Sequence, residues 1–305
     1  MREQLLEDFD VRCGMEQEAL KGLWRLCFAE DTEEFIDYYL RERVNNSRVF
    51  VEYCGDRLCA MAFATDKEIV VSEAGGESVW IWFVSGVAVH PDFRRKGLAT
   101  KLMKQMENEA RTEGVKFLML SPAVVELYER LGFSPVSYRK NVTLTRNACA
   151  AFSCPGKRCF DKPQIKQINE IYNEFMGKRI FFEKRNEKIF ACLLKEHSLS
   201  GAFSAFNGDS YAFGWETGEG AVLNEFAYKN GDSAKALVQN LLERYDCVRI
   251  PLPVDDELFV GSGQCAEDLE ILNMIKILSS DPKGDPLDRI FDNNVFSNAY
   301  SFEQY

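Results

Sequence analysis

The chain has 305 residues, of which 37 are basic and 48 acidic, for a net charge of −11, and 46% are hydrophobic. At about 100–200 residues per domain the length suggests two domains, and the composition excludes collagen, coiled coil and disorder. The acidity is spread over both halves, which speaks against a nucleic-acid or anionic-membrane partner, since either needs a positive surface.

Residues 15–28 place Ala19, Leu20, Leu23, Trp24, Cys27 and Phe28 on one helical stripe. Asp31 and Thr32 offer N-caps for a second helix reaching about Arg43. Val49–Tyr53 and Leu58–Phe63 flank Cys-Gly-Asp-Arg and read as a hairpin. Val79–Val89 is apolar enough for a central strand. A helix over 97–112, a buried strand over 115–120, a short helix over 123–131 and a closing strand to Leu144 complete a mixed α/β unit. Residues 146–161 lose all periodicity. From Pro163 the order recurs: helices over 163–176 and 184–196, a hairpin around Asn207-Gly208-Asp209, a strand over 221–228, a helix over 233–245 and a strand from Cys247. Two copies of one unit is the simplest reading.

The longest apolar stretch, Val79–Val89, has 11 residues and includes Ser85 and Gly86, against about 20 needed to span a membrane. The first ten residues carry acids where a secretory signal needs an apolar run. The expectation is a cytoplasmic protein whose ten cysteines are reduced thiols. Cys149, Cys154 and Cys159 are spaced too widely for a zinc knuckle, and only two histidines exist; no metal is expected.

The stretch that carries chemistry is Val87-Ala-Val-His-Pro-Asp-Phe-Arg-Arg-Lys-Gly-Leu-Ala-Thr100. A buried strand ends, a basic turn with a glycine follows, and a helix begins. Such a turn aims successive N–H groups at one point and adds the positive end of a helix dipole. Five cations and no acid lie between Arg94 and Lys104. Cations at a helix start oppose the dipole unless an anion sits there, so a phosphate-bearing ligand explains the stretch better than a solvated face does. The order of glycines fits neither a Walker loop nor a dinucleotide fingerprint.

Arg94-x-x-Gly97-x-Ala99 after Val87-x-Val89 resembles the acetyl-CoA signature of the GNAT acetyltransferases, (Arg/Gln)-x-x-Gly-x-(Gly/Ala). Ala123-Val-Val-Glu-Leu-Tyr128-Glu-Arg-Leu-Gly-Phe133 looks like the same family's helix ending in Tyr-x-x-x-Gly-Phe. The resemblance covers roughly residues 1–145. It implies a catalytic unit over 1–145, a linker over 146–161 and a degenerate GNAT-like copy over 162–305 with a C-terminal tail. It implies that the N–H groups of Arg95, Lys96, Gly97, Leu98, Ala99 and Thr100 cradle the pyrophosphate of acetyl-CoA, with Arg94 opening the signature. The pantetheine arm would pair along Val87, Ala88 and Val89, where one N–H stabilises the oxyanion. Tyr128 would be the general acid toward the CoA thiolate; its plain alternative is aromatic packing beside Leu127 and Leu131. The reaction implied is direct acetyl transfer to a primary amine of a small molecule or peptide.

The central strand carries no carboxylate for a general base, Ser85 could at most position a water, and His90 reads as a strand-end residue. The tandem arrangement is similar to enhanced-intracellular-survival enzymes, without their sterol-carrier-like domain. In those enzymes the chain's terminal carboxylate reaches the site, which would assign base or anchor to Tyr305 or Glu303. Asp31, Glu33 and Glu34 lie where such enzymes admit the acceptor and would suit a polycationic amine, or simply cap a helix. In the second unit Tyr228-Lys-Asn-Gly-Asp-Ser-Ala234 replaces the phosphate turn and puts Asp232 where the anion would sit. Its expected part is to wall the acceptor cleft. A non-catalytic acyl-CoA-binding module and a protein-lysine acetyltransferase stay open as alternatives, and so does a homo-oligomeric state.

Overall fold

The computed structural model describes residues 16–44, 47–71, 77–147, 164–260 and 265–278. Residues 16–27 form helix α1, with Leu20, Leu23 and Trp24 buried. Helix α2 (Glu33–Tyr38) starts at Thr32, whose Oγ1 accepts the Phe35 N–H at 3.1 Å; Thr32, and not Asp31, is therefore its cap. Glu33 and Glu34 face the positive end of its dipole. A π turn over Tyr39–Arg43 extends it to the expected end.

Strands β1 (Arg48–Cys54) and β2 (Arg57–Val71) form the hairpin, and β2 continues antiparallel to β3 (Glu77–Val89). Successive side chains of β3 alternate between two cores. Trp82 and Val84 pack with helix α3 (Leu98–Thr112), which buries Leu102, Met103, Met106 and Ala110. Ile81 and Phe83 join Ile69 and Phe181 in another cluster, and Ala88 joins α1 and α2 in a third. Strand β4 (Phe117–Leu120) is buried throughout and runs parallel to β3; helix α4 (Val125–Arg130) and strand β5 (Ser134–Thr145) follow.

The second half comprises α5 (Ile165–Met176), β6 (Phe181–Glu183), α6 (Glu187–Leu199), β7 (Phe203–Phe206), β8 (Ser210–Thr217), β9 (Gly220–Tyr228), α7 (Gly231–Arg244), β10 (Cys247–Leu252) and β11 (Cys265–Ile277). The β7–β8 turn holds Gly208 at φ +95°, a conformation glycine adopts freely, and Asn207 Oδ1 accepts the Ser210 N–H at 2.9 Å. β9 and β10 are parallel and joined by α7, as β3 and β4 are joined by α3.

All the main strands belong to one sheet in the order β1-β2-β3-β4-β11-β5-β10-β9-β8-β7, with β6 paired to β2. The order is the same read from either end, if β11 and β5 are matched. β5, which the sequence suggests closes the first half, is flanked by β11 and β10, both from the second half. β11 lies between β4 and β5, pairing Met274 with Leu120 and Cys265 with Leu144. The two halves therefore share their last strands. Neither β6 nor β11 is marked by the periodicity of the sequence. Among the described residues no helix is long and apolar enough to cross a membrane.

Candidate active site

Parallel pairing of β3 with β4 ends at Val84↔Leu120, while β3 stays paired with β2 as far as Ala60↔Val89. The sheet is therefore split beyond Val84. Along the split, Met61 faces Ala88 and Phe63 faces Ser85, so Gly86 and Val87 together oppose Ala62. This is a β-bulge, which bends a strand and leaves one residue without a ladder partner. Gly86 sits at φ +57°, and a β-carbon there would lie 2.5 Å from Phe63 Cδ2. Only glycine fits both the angle and the space.

A cavity of about 600 Å³ opens at the split. Its walls are Val84–Val87 of β3, Ser121–Ala123 after β4, Tyr128 of α4, aromatic side chains of α1 and α2, Glu30 and Asp31 between those helices, and Ser200 and Trp215 from the second half. Tyr39 Oη lies 3.0 Å from Ser85 Oγ, and burial pushes the Tyr39 phenol up. Trp24 Nε1 donates to Asp31 Oδ2 at 2.7 Å. Burial first, and the neighbouring Glu30 charge after it, push the Asp31 carboxyl up. Asn273 of β11 donates from Nδ2 to Ser121 Oγ at 2.9 Å and accepts from Ser137 Oγ at 2.8 Å, which fixes the Ser121 wall from the far end of the chain.

Tyr128 is buried at 8% exposure, its ring edge-on to Phe133 at 6.0 Å, and burial raises its phenol. Among the described residues no protein group hydrogen-bonds its hydroxyl, unlike that of Tyr39. A phenol raised by burial stays protonated, which is the form that can donate. His90 accepts the Asp92 N–H at Nδ1 and packs edge-on against Phe93, as a strand-end residue should.

The basic turn leaves β3 through a 3₁₀ turn over Pro91–Phe93. Arg94 Nε donates to the Val89 carbonyl at 3.2 Å. Arg95 has φ +61°, the only non-glycine residue in that region among the described residues, and Gly97 has φ +79°. Left-handed backbone at a non-glycine residue is stored strain and marks functional turns. Gly97 caps α3 with no side chain, no acid lies in the first turn, and the first helical bond runs from Lys101 N to Gly97 O at 2.9 Å. The N–H groups of Leu98, Ala99 and Thr100 are thus left to solvent or ligand, as an anion cradle requires.

The matching helix start in the second half is closed. Asn230 Oδ1 accepts the Ser233 N–H at 2.9 Å, and Asp232 lies in the first turn of α7. β9 also carries a bulge, at Asn224 between Leu223 and Glu225. There the space is filled by polar groups: Asn224 Nδ2 approaches His197 Nε2 at 3.3 Å, and Glu225 accepts from Arg185 at 2.9 Å and Tyr211 at 2.6 Å.

The structure thus brings Val87, Ala88, Val89, Arg94 to Thr100 and Tyr128 around one split strand. Ala88 is buried toward α1 and α2, and Val87 and Val89 pack toward α3. Of the three acids expected near the acceptor, Asp31 lines the cavity, whereas Glu33 is held by Arg25 in two hydrogen bonds and Glu34 is exposed. Tyr305, Glu303 and the cysteines Cys149, Cys154 and Cys159 lie outside the described residues. Cys27, Cys54, Cys59, Cys192 and Cys247 are free thiols. Among the described residues no group of three or more His, Cys, Asp or Glu is placed to hold a metal.

The chain matches the model of the acetyltransferase (GNAT) domain family over residues 15–136. Over 91 residues it is 34% identical to a ribosomal protein bS18-alanine N-acetyltransferase of Salmonella typhimurium, covering 28% of this chain and 54% of that protein. The chain thus spans about half the length of this curated relative. Likeness of fold extends further. A probable N-acyltransferase of Enterococcus faecalis superposes with a TM-score of 0.69 at 13% identity, over 87% of this chain and 70% of that one. Eis1 of Mycobacterium abscessus does so at 0.64 and 16% identity, over 87% and 72%.

Proposed function

We propose that the protein is an acetyl-CoA-dependent N-acetyltransferase that transfers the acetyl group directly to a primary amine of a small molecule or peptide. The observation that carries this reading is the joining of two features on one strand: the bulge at Gly86 and, beyond Val89, the open N-terminus of α3. Acetyl-CoA supplies an activated acyl group and a thiolate leaving group. The N–H groups from Arg95 to Thr100 would hold its pyrophosphate, and the free edge of β3 at Val87 and Val89 would pair with its pantetheine arm. An N–H at the bulge would face the developing oxyanion. As the amine nitrogen bonds to the acyl carbon and the carbon–sulfur bond breaks, Tyr128 would give its proton to the departing sulfur, and the proton shed by the acetylated nitrogen would return through solvent to restore the phenol. The phenol and the thiol have ordinary pKa values of about 10 and 8.5, near enough for that transfer once water is excluded.

The second half reads as a duplicated, degenerate copy of the first, supported by the palindromic strand order and by the closed start of α7. Its part would be structural: Ser200 and Trp215 wall the cavity, and β11 completes the first half's sheet. The test is thiol release from acetyl-CoA across a panel of amines, comparing the wild type with Tyr128→Phe. We expect kcat to fall by about 10²–10³-fold in the variant, with acetyl-CoA binding nearly intact. Unchanged turnover removes Tyr128 from the mechanism, and binding without turnover across the panel favours a non-catalytic acyl-CoA-binding module.

A further inference from the structure

We infer that the acceptor carries a second cationic group, held by Asp31, and that the indole of Trp24 sets its distance from the reacting amine; this rests on the acetyltransferase reading above. The indole spans the two places. Its Cζ3 lies 3.6 Å from where a β-carbon of Gly86 would be, and at its other end Nε1 donates to Asp31 Oδ2 at 2.7 Å. One end of the ring thus marks the bulge where transfer would occur, and the other marks a carboxylate. Asp31 thus stands at the opposite end of the indole from the bulge, so a group bound there is a different part of the molecule from the nitrogen that is acetylated.

The chemistry of Asp31 points to a cation. The carboxylate lines the cavity, and among the described residues only Trp24 hydrogen-bonds it and no basic side chain pairs with it. Glu30 lies beside it in the same wall. The neighbouring acids are already engaged: Glu33 with Arg25, and Asp37 with Lys21 at 2.7 Å. A half-buried carboxylate without a counter-charge costs stability, and a ligand ammonium would offset that cost. Between the two ends the wall is apolar, with Trp24, Phe28, Phe35 and Tyr39 in the lining. Trp24 packs on Phe28 at 5.1 Å and on Tyr39 at 4.9 Å between ring centroids. Such a wall suits methylene groups. The ligand class is therefore an α,ω-diamine, or a molecule ending in an aminoalkyl arm with a cation at its far end. An amine with neutral polar substituents along the arm fits less well.

The test uses diaminoalkanes of graded length, from 1,3-diaminopropane to 1,8-diaminooctane, and the matched monoamines. Each is assayed for CoA release by the full chain and, in parallel, for calorimetric binding to the CoA-saturated protein. The expected result is a maximum of kcat/KM at one chain length, at least tenfold above the matched monoamine. Asp31→Asn, which keeps an acceptor for Trp24 Nε1, should remove that advantage and leave kcat/KM for monoamines and the Kd of acetyl-CoA unchanged. Monoamines that equal diamines, or an Asp31→Asn variant that slows both alike, overturn the inference. Length-dependent diamine binding with no CoA release from any amine would keep this inference and reject the acetyltransferase reading.

Discussion

Gly86 of β3 and Phe63 of β2 touch so closely that a methyl group on the glycine would lie within 2.7 Å of two ring carbons of the phenylalanine. Phe63 is itself packed on Trp24, with ring centroids 5.9 Å apart, and cannot move away without disturbing the α1 core. The bulge is thus locked from both sides, by its positive φ and by an aromatic wall. Gly86→Ala should destabilise the protein by about 1–3 kcal/mol, the usual range for overpacking and for a side chain forced to positive φ. The same variant should lose at least about tenfold in kcat/KM, because moving the bulge moves the N–H proposed to meet the oxyanion. Adding Phe63→Leu should restore part of the melting temperature without restoring the rate. If the rate recovers with stability, the bulge shapes the fold and not the chemistry.

The starts of α3 and α7 make a matched pair with opposite electrostatics. Counting from the caps Gly97 and Asn230, Ala99 and Asp232 hold the same helical position. A carboxylate in a first turn stabilises a helix by about 0.3–1 kcal/mol through the dipole. It also takes the place of a bound anion. Ala99→Asp should therefore raise the melting temperature slightly while weakening acetyl-CoA binding by at least about tenfold, opposite signs that simple damage would not produce. Asn230→Ala should do neither. It removes a cap worth about 0.5–2 kcal/mol and leaves acetyl-CoA binding as it was. Calorimetric binding and thermal melts on the two variants separate these outcomes.

The basic turn before α3 is legible because all of its information is contiguous. Strand, basic residues, Gly97 and small Ala99 follow one another, and only the strained φ of Arg95 leaves no mark in the sequence. The cavity was legible only in part, since it is assembled from elements far apart in sequence. Trp24 reads as a core residue, which it also is, and nothing local places Tyr39 or Trp215 beside it. Asn273, which fixes Ser121, sits in a strand that the pattern does not reveal. The first part of β11 reads as polar because Asp268 and Glu270 answer charges on other strands. Asp268 accepts from Arg249 at 2.9 Å, and Glu270 from Arg139 at 3.0 Å. Alternation fails as a signal where a strand's polar face is satisfied by partners on other strands, here Arg249 of β10 and Arg139 of β5.

Buried His197 gives the second half a pH dependence of its own. Burial first, and the nearby Arg185 charge after it, lower its pKa from 6.5 to about 4. In the unfolded chain the ring takes up a proton near pH 6.5, whereas in the folded protein it does so only near 4. Between those values the unfolded state binds more protons, so stability falls as pH drops through that window. At about 1.36 kcal/mol per unit the total is on the order of 3 kcal/mol. Melting temperature measured from pH 7.5 to 4 should fall more steeply in the wild type than in His197→Gln, which can still accept from Asn224. Parallel curves would mean that the acid sensitivity lies elsewhere.

The shared strand makes the two halves interdependent, and this can be tested by cutting the chain. β11 covers the open edge of β4 through Met274↔Leu120 to Ile277↔Phe117, and covers β5 along most of its length. Leu272, Asn273, Met274, Ile275 and Leu278 are all buried at 2% exposure or less. Burying each large apolar side chain contributes roughly 1.5–3 kcal/mol, so the strand supplies an amount comparable with the 5–15 kcal/mol by which a typical protein is stable. A chain ending at Gln264 should therefore lose cooperative unfolding in its first half, although every proposed acetyl-CoA contact lies far upstream. A peptide of residues 265–278 added in trans can supply the missing strand to the exposed edges. It should restore acetyl-CoA binding at micromolar concentrations, and Asn273→Ala within it should restore the fold while leaving Ser121 unanchored and the rate low. A truncated chain that melts cooperatively and binds acetyl-CoA by itself would show that the first half folds without its neighbour's strand.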